Sequence, residues 1–273
     1  MTTDPAAFDA FAADYDDAFT GTLLGTWLRQ RVWQVLGAHF PAGQHILELT
    51  CGTGTDAVWL AGRGVRVTAT DGAAAMVATA RRKVAAAGLE DWVSLRQLSW
   101  QTLCAAPAAF ARPGSFDGAF SNFGGLNTVD QWPAIAAALG QLIRPGGKLI
   151  LVPMGPFCPW ETGWHLLHGQ LRPAIRRWRG PATATIGQAT IPIWYPSARR
   201  LRRDFAPWFR PLAVRSLGLW LPPSYLSHLV DTRPGLFRHL QRLETATARF
   251  TGGWGDHYIQ VLQRHTQPPA PQK

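Results

Sequence analysis

The sequence predicts an α/β fold built on a doubly wound parallel sheet, and three observations carry that expectation. Short apolar runs alternate with helical segments through the first 150 residues, the runs are continuous rather than alternating in polarity, and glycine-bearing turns join several of them to the next helix. Strands buried on both faces read as continuous apolar runs, and strands separated by helices pair in parallel.

The elements follow in order. A helical stretch spans Phe8 to Phe19, and a second spans Thr22 to Ala38, where Leu24, Leu28, Val32 and Val35 or Leu36 recur at helical spacing. Strands are expected at His45–Leu49, Val65–Thr70, Val93–Leu98, Phe116–Ser121 and Lys148–Pro153. Helices are expected at Asp56–Gly62, Ala73–Ala87 and Val129–Ile143, with a weaker one near Gln101–Phe110. From Gly155 to Pro211 proline, arginine and tryptophan are frequent and regular strand spacing is lost, which suits a cap inserted over the carboxyl edge of the sheet. Val214–Leu221 and His257–Gln263 then read as two further strands separated by a helix from Pro234 to Arg249, making seven strands. The expected organisation is an N-terminal helical lid (1–40), a core (41–154), the cap (155–211), strands and a helix completing the core (212–265), and a disordered tail (266–273) reading TQPPAPQK.

Composition bounds the class. With 47% apolar and 16% charged residues in a chain of 273, there is material for one buried core and no compositional case for global disorder. Cys51, Cys104 and Cys158 are odd in number and form no CxxC pair, which argues against a disulfide framework or a structural zinc site. The opening MTTDPAAFDAFAADYDD lacks the basic region and apolar core of a signal peptide, and no apolar run approaches the ~20 residues of a membrane span. A cytoplasmic protein, with at most peripheral membrane contact, is expected. The net charge of +10 is unevenly held: residues 1–150 are close to neutral, whereas residues 151–273 carry the whole positive excess and seven of the 13 tryptophans. Such a half could face an anionic or aromatic substrate, nucleic acid or a membrane, or be merely a solvated surface.

The chemistry-bearing segment is Ile46-Leu47-Glu48-Leu49-Thr50-Cys51-Gly52-Thr53-Gly54-Thr55-Asp56, which joins an expected strand to an expected helix. Glycines there let the backbone turn tightly beside a ligand, and a helix N-terminus offers free N–H groups. Asp71 ends the next expected strand, 23 residues after Glu48, near the ~20-residue offset at which a carboxylate accepts from ribose hydroxyls.

The runs ILELTCGTG, VTATDGAAAM, FDGAFSNF and LIRPGGKLIL together resemble the successive motifs of class I S-adenosylmethionine (SAM)-dependent methyltransferases over roughly residues 8–154, and AFDAFAADYDDAF resembles the N-terminal lid of small-molecule members. The resemblance implies a Rossmann-like seven-stranded sheet whose last strand is antiparallel, with SAM bound across the first strands. It implies that Glu48 orients the turn, that the backbone of Gly52 and Gly54 faces the methionine part of SAM, that Asp71 takes the ribose, and that Gly72 and Met76 lie near the adenine, with Tyr15 contributed by the lid. Two departures stand out: Thr50 replaces the usual first glycine, and Ser99 and Trp100 stand where an acidic residue is common. A Rossmann dehydrogenase shares the turn, but GxGxxG spacing is absent because the third position is Ala57.

Ligands of open α/β sheets lie beyond the carboxyl ends of the strands. That puts Asn122 and Phe123 near the transferred methyl group, with Asn122 a candidate for both cofactor contact and catalysis. SNFGG is not the Asp/Asn-Pro-Pro-Tyr signature of DNA-type amino methyltransferases. Glu161 and His257 are the general-base candidates, and Trp160, Tyr195 and Tyr225 join them and Phe123 as acceptor contacts. His165 and His168 follow Glu161 at helical spacing, but without a second ligand pair no metal is expected. The expected activity is methyl transfer to a small apolar or anionic acceptor, metabolite or lipid-like; the alternatives are an RNA or protein methyltransferase using the basic half, and a non-catalytic SAM-binding protein.

Overall fold

A computed structural model describes residues 5–186 and 189–266. Its N-terminal segment forms a short 3-10 turn at Pro5–Phe11 and a π turn at Asp16–Thr20, where one helical stretch was expected. Asp14, Asp16 and Asp17 are better suited to caps and turns than to a helix interior, which accounts for the break. Thr22 then caps α1 (Leu23–His39), its hydroxyl accepting from Gly25 N at 3.0 Å. Leu24, Leu28, Val32, Val35 and Leu36, the residues of the helical stripe, are all buried.

The core elements succeed one another as β1 (His45–Leu49), α2 (Thr55–Ala61), β2 (Arg66–Asp71), α3 (Ala74–Ala86), β3 (Val93–Gln97), α4 (Trp100–Ala105), α5 (Pro107–Phe110), β4 (Phe116–Ser121), α6 (Trp132–Leu142) and β5 (Ile143–Leu151). The insertion carries α7 (Pro159–Leu167), α8 (Leu171–Ala174), a hairpin of β6 (Ala182–Ile186) and β7 (Ala189–Ile193), and α9 (Ala198–Phe205). β8 (Phe209–Leu217), α10 (Ser227–Thr232), α11 (Pro234–Thr247) and β9 (His257–Arg264) complete the chain. Seven strands form one sheet in the order β3-β2-β1-β4-β5-β9-β8. β1 pairs in parallel with β2 on one side and β4 on the other, so strand order reverses at β1, and β9 is antiparallel to both β5 and β8. The sequence expectation of a seven-stranded sheet with an antiparallel last strand therefore holds.

Strand alternation splits the apolar residues between two faces. Ile46 and Phe120 pack with α1, α2 and α3 residues, whereas Leu47, Leu49 and Ala119 pack with Leu103, Ile135, Leu139, Leu201 and Phe205 on the other face. Two expectations need correction. The cap is not devoid of strands: it contains the β6–β7 hairpin, whose Pro192 masks a β-branched pattern. β8 starts at Phe209 rather than Val214, its early register interrupted by a bulge between Pro211 and Ala213. The expected tail lies, beyond Thr266, outside the described residues. Among the described residues no helix is long and apolar enough to cross a membrane.

Candidate active site

The turn after β1 is unusual in its first residue. Thr50 adopts a left-handed backbone, φ +55°, as do Gly52 at +54° and Gly54 at +78°. A β-branched residue is costly in this region. Its side chain is clamped: Oγ1 donates to Leu49 O at 2.5 Å and lies 2.9 Å from Ser121 Oγ. Gly125 makes room for it, since a Cβ there would sit 2.0 Å from Thr50 Oγ1. The replacement of glycine by threonine at the turn is thus matched by a glycine across the cleft.

Asp71 closes the turn from the next strand. Its Oδ2 accepts from Gly52 N and its Oδ1 from Ala73 N, both at 2.9 Å. Burial pushes its carboxyl above the ordinary value, opposed by backbone hydrogen bonds from Ala73, Gly52 and Gly72. A carboxylate has about four lone-pair sites, so acceptor capacity remains.

A cavity of about 320 Å³ opens at this edge, within the range of small-molecule sites. Of the residues expected from sequence, Tyr15, Thr50, Gly52, Asp71, Gly72, Met76, Ser99, Trp100, Asn122, Phe123 and Tyr195 line it. The N-terminal turn closes it from above: Phe8 and Pro5 line the wall, and a Cβ on Gly72 would come within 2.7 Å of Pro5. The insertion adds Ala184, Ile193, Tyr195 and Arg176 to the wall. Tyr15 stays a neutral phenol, its pKa pushed up to about 12 by burial.

Six expected residues lie outside the cavity wall. Gly54 starts α2 and packs against α3, where a Cβ would meet Ala80 Cβ at 2.8 Å. Glu48 is buried, its Oε2 without a hydrogen-bond partner among the described residues, and burial raises its pKa well above the ordinary value. Glu161, the candidate base, is buried in an ion-pair cluster: Arg176 Nε and Nη2 donate to its two oxygens at 2.8 Å each, and Arg177 Nε and Nη2 donate to the same oxygens at 3.1 and 2.8 Å. Burial alone would raise the Glu161 carboxyl, but the two guanidinium groups hold it below its ordinary value. His257 sits behind Phe123, with ring centroids 5.7 Å apart, and its Nδ1 lies 3.0 Å from Asp256 Oδ2. Trp160 packs on Phe237, and the half-exposed Tyr225 reaches Glu161 Oε2 at 3.4 Å.

Asn122 reaches the cavity wall with its polar groups already engaged. Nδ2 donates to Asp56 Oδ2 at 2.8 Å and Oδ1 accepts from Phe123 N at 2.9 Å. Asp56 Oδ1 also receives Arg29 Nη1 at 2.6 Å and Trp33 Nε1 at 2.7 Å, and the Arg29 guanidinium lies 5.0 Å from the Phe123 ring. This buried network fixes the loop after β4 against α1 and α2. His165 and His168 contact Gln170 and the Trp164 carbonyl, and among the described residues no cluster of His, Cys, Asp and Glu could hold a metal.

The sequence reading did not place Ile193 or Pro5 at the site. Arg176 belonged to a run of four arginines between 172 and 179 that could grip a phosphate or carboxylate or be a solvated face, with no signal saying which of them faces inward.

Comparison with known proteins agrees with this geometry. Residues 46–147 match a family model described as a methyltransferase domain. The SAM-dependent Diels-Alderase iccD of Talaromyces variabilis is 33% identical over 138 residues, 47% of this chain and 45% of that protein. A demethylmenaquinone methyltransferase of Symbiobacterium thermophilum is 28% identical over 169 residues, 57% of this chain and 64% of its own length. The chain thus spans about half to two thirds of the length of these relatives. Geranyl diphosphate C-methyltransferase from Streptomyces coelicolor A3(2) shares the fold, with a TM-score of 0.55 over 86% of this chain and 79% of that one at 15% identity. The cavity residues fit the adenosyl group that such domains hold: a carboxylate at the end of β2, an open glycine turn and an apolar wall at Met76, Leu98 and Leu103. Sheet order, turn and sequence match converge: residues 46–147 match a methyltransferase domain, set in the seven-stranded sheet of the class I SAM-dependent methyltransferase fold.

Proposed function

We propose that the protein transfers a methyl group from SAM to a small-molecule acceptor held under the insertion. One observation carries this reading: a single cavity is lined both by the glycine turn and Asp71 and by the insertion residues Ala184, Ile193 and Tyr195. Asp71 would accept from the ribose hydroxyls, Gly52 and Thr50 would border the amino-acid part, and Met76, Leu98 and Trp100 would flank the adenine. Bound there, SAM supplies an electrophilic methyl carbon on a sulfonium. Among the described residues of the wall no imidazole and no carboxylate other than Asp71 is available, and the phenols of Tyr15 and Tyr195 are held protonated by burial. The residues therefore act by positioning and by excluding water, and the acceptor arrives with its lone pair free. The division of labour that follows is an N-terminal lid (1–40), a cofactor core (41–154), an insertion over the acceptor (155–211) and C-terminal elements completing the sheet (212–265).

A cavity walled this way also suits a second reading, favoured by the absence of a base and by the likeness to a SAM-dependent Diels-Alderase. In that reading the bound cofactor shapes the site while the acceptor rearranges without methylation. The two separate in one experiment. Protein incubated with methyl-labelled SAM and an organic extract of its source cells should place label in low-molecular-mass products. Product formation that persists when S-adenosylhomocysteine replaces SAM would favour the second reading, and label in RNA or protein would overturn both.

A further inference from the structure

Among the described residues that line the cavity two carry charge, Asp71 at the turn and Arg176 in the insertion. The other described lining residues are apolar or neutral. Arg176 is not a loose surface cation. Nε and Nη2 dock on Glu161, which is 1% exposed, while the Arg176 side chain keeps 37% of its surface open. That fork uses one edge of the guanidinium. Nη1, on the other edge, makes no hydrogen bond among the described residues. A planar guanidinium fixed on one edge presents its free N–H groups in a set direction, which suits recognition of a carboxylate or similar oxyanion.

Arg177 makes this arrangement possible. It satisfies the same Glu161 oxygens from the buried side, donates to Asp256 Oδ1 at 2.6 Å, and lies 4.9 Å from the Tyr195 ring. Glu161 therefore stays paired whether or not Arg176 is present. The two arginines and two carboxylates sum to zero formal charge, so what Arg176 offers is an ordered, half-open donor edge in a wall whose one other charged group among the described residues is Asp71.

We propose that Arg176 is the anion anchor of the acceptor subsite, and that the acceptor is an apolar molecule bearing one oxyanion that pairs with Arg176 while its body lies against Tyr195, Ile193 and Phe8. The proposal rests on the reading of the Asp71 end as the cofactor subsite, and it narrows the acceptor from any small molecule to an organic acid. Glu161, whose carboxylate accepts from Arg176, Arg177 and Tyr225 and does not line the cavity, is a positioning residue.

The probes are 1-naphthoate and its uncharged analogue 1-naphthamide, titrated by calorimetry into the full chain loaded with S-adenosylhomocysteine. The wild type should bind naphthoate at least about tenfold more tightly, the effect of a charge-assisted hydrogen-bonded pair. Arg176→Met should erase that preference, leave naphthamide binding within about twofold and leave S-adenosylhomocysteine affinity unchanged; Arg177 keeps Glu161 paired, so the variant should fold. Arg176→Lys should restore part of the preference, since charge returns without the fork. Equal binding of the two probes, a preference that survives Arg176→Met, or binding of neither probe would each overturn the proposal. If S-adenosylhomocysteine itself failed to bind, the cofactor reading would fall, while the same titrations without it would still read Arg176.

Discussion

Replacing Glu161 by alanine distinguishes a buried anchor from a catalytic base. The change removes both acceptors of the Arg176 fork, but Arg176 is open enough to turn toward water. Arg177 is not, being 6% exposed at its side chain. It makes five hydrogen bonds, of which the two to Glu161 would be lost, while those to Asp256 Oδ1, Asp256 O and Gly155 O remain. Two lost charge-assisted bonds at roughly 1.5–3 kcal/mol each, and the general cost of breaking a buried ion pair, converge on about 3–5 kcal/mol. At about 2 °C per kcal/mol for a chain of this size, the melting temperature should drop by roughly 6–10 °C. The assay is circular dichroism melting at pH 7, with Glu161→Gln as the isosteric control, expected to fall about half as far. Acid should narrow the gap. Glu161 and Asp256 are both held below ordinary carboxyl values, although burial opposes this, chiefly by their arginine partners. A carboxyl depressed on folding contributes fully above its unfolded pKa, near ~4, and that contribution fades as pH falls toward the folded value. The difference between wild type and Glu161→Ala should thus shrink below about pH 4. A melting temperature within 2 °C of wild type, as an order-of-magnitude threshold, together with lost turnover, would refute the anchor role and return Glu161 to the chemistry.

Other expectations test the cofactor end. Asp71→Ala should weaken S-adenosylhomocysteine binding by about 1–3 kcal/mol, and undiminished affinity by calorimetry in a folded variant would refute the ribose assignment. Gly125→Ala forces a Cβ to 2.0 Å from Thr50 Oγ1, so it should lower the melting temperature sharply, and Thr50→Gly in the same chain should recover most of the loss. Additive losses would show that the two residues do not share one space. S-adenosylhomocysteine should slow amide exchange in Pro5–Phe11 and in β6 and β7; unchanged exchange there would mean these segments do not cover the ligand.

The sheet was legible because its strands are short continuous apolar runs, and β1 and β4 begin and end at the expected residues. The turn was legible because Gly52, Gly54 and Asp71 must stand at fixed offsets for backbone geometry to work. The insertion was not. Pro192 inside β7 breaks a strand pattern that Thr190, Ile191 and Ile193 otherwise carry, and the Glu161 fork that orients Arg176 leaves no trace in the local sequence. Side-chain commitment was equally hidden. Glu161 and Asn122 are the right types for catalysis, but only three-dimensional partners reveal that Arg177 and Asp56 already hold them. Thr50 shows the reverse: a residue that breaks the usual pattern, whose compensation at Gly125 lies 75 positions away and shares no local signal with it.

The N-terminal turn at Pro5–Phe11 rests on α3 below and on both strands of the β6–β7 hairpin beside it. The two covers of the cavity therefore share a latch, and neither end has a door of its own. A molecule bound at the turn braces the strap against which the hairpin leans, so filling one end should firm the floor for the other. Kinetically this favours an ordered sequence in which the nucleoside enters first and leaves last. Product inhibition by S-adenosylhomocysteine would then be competitive against SAM and non-competitive against the acceptor, whereas random entry would leave both lids swinging independently.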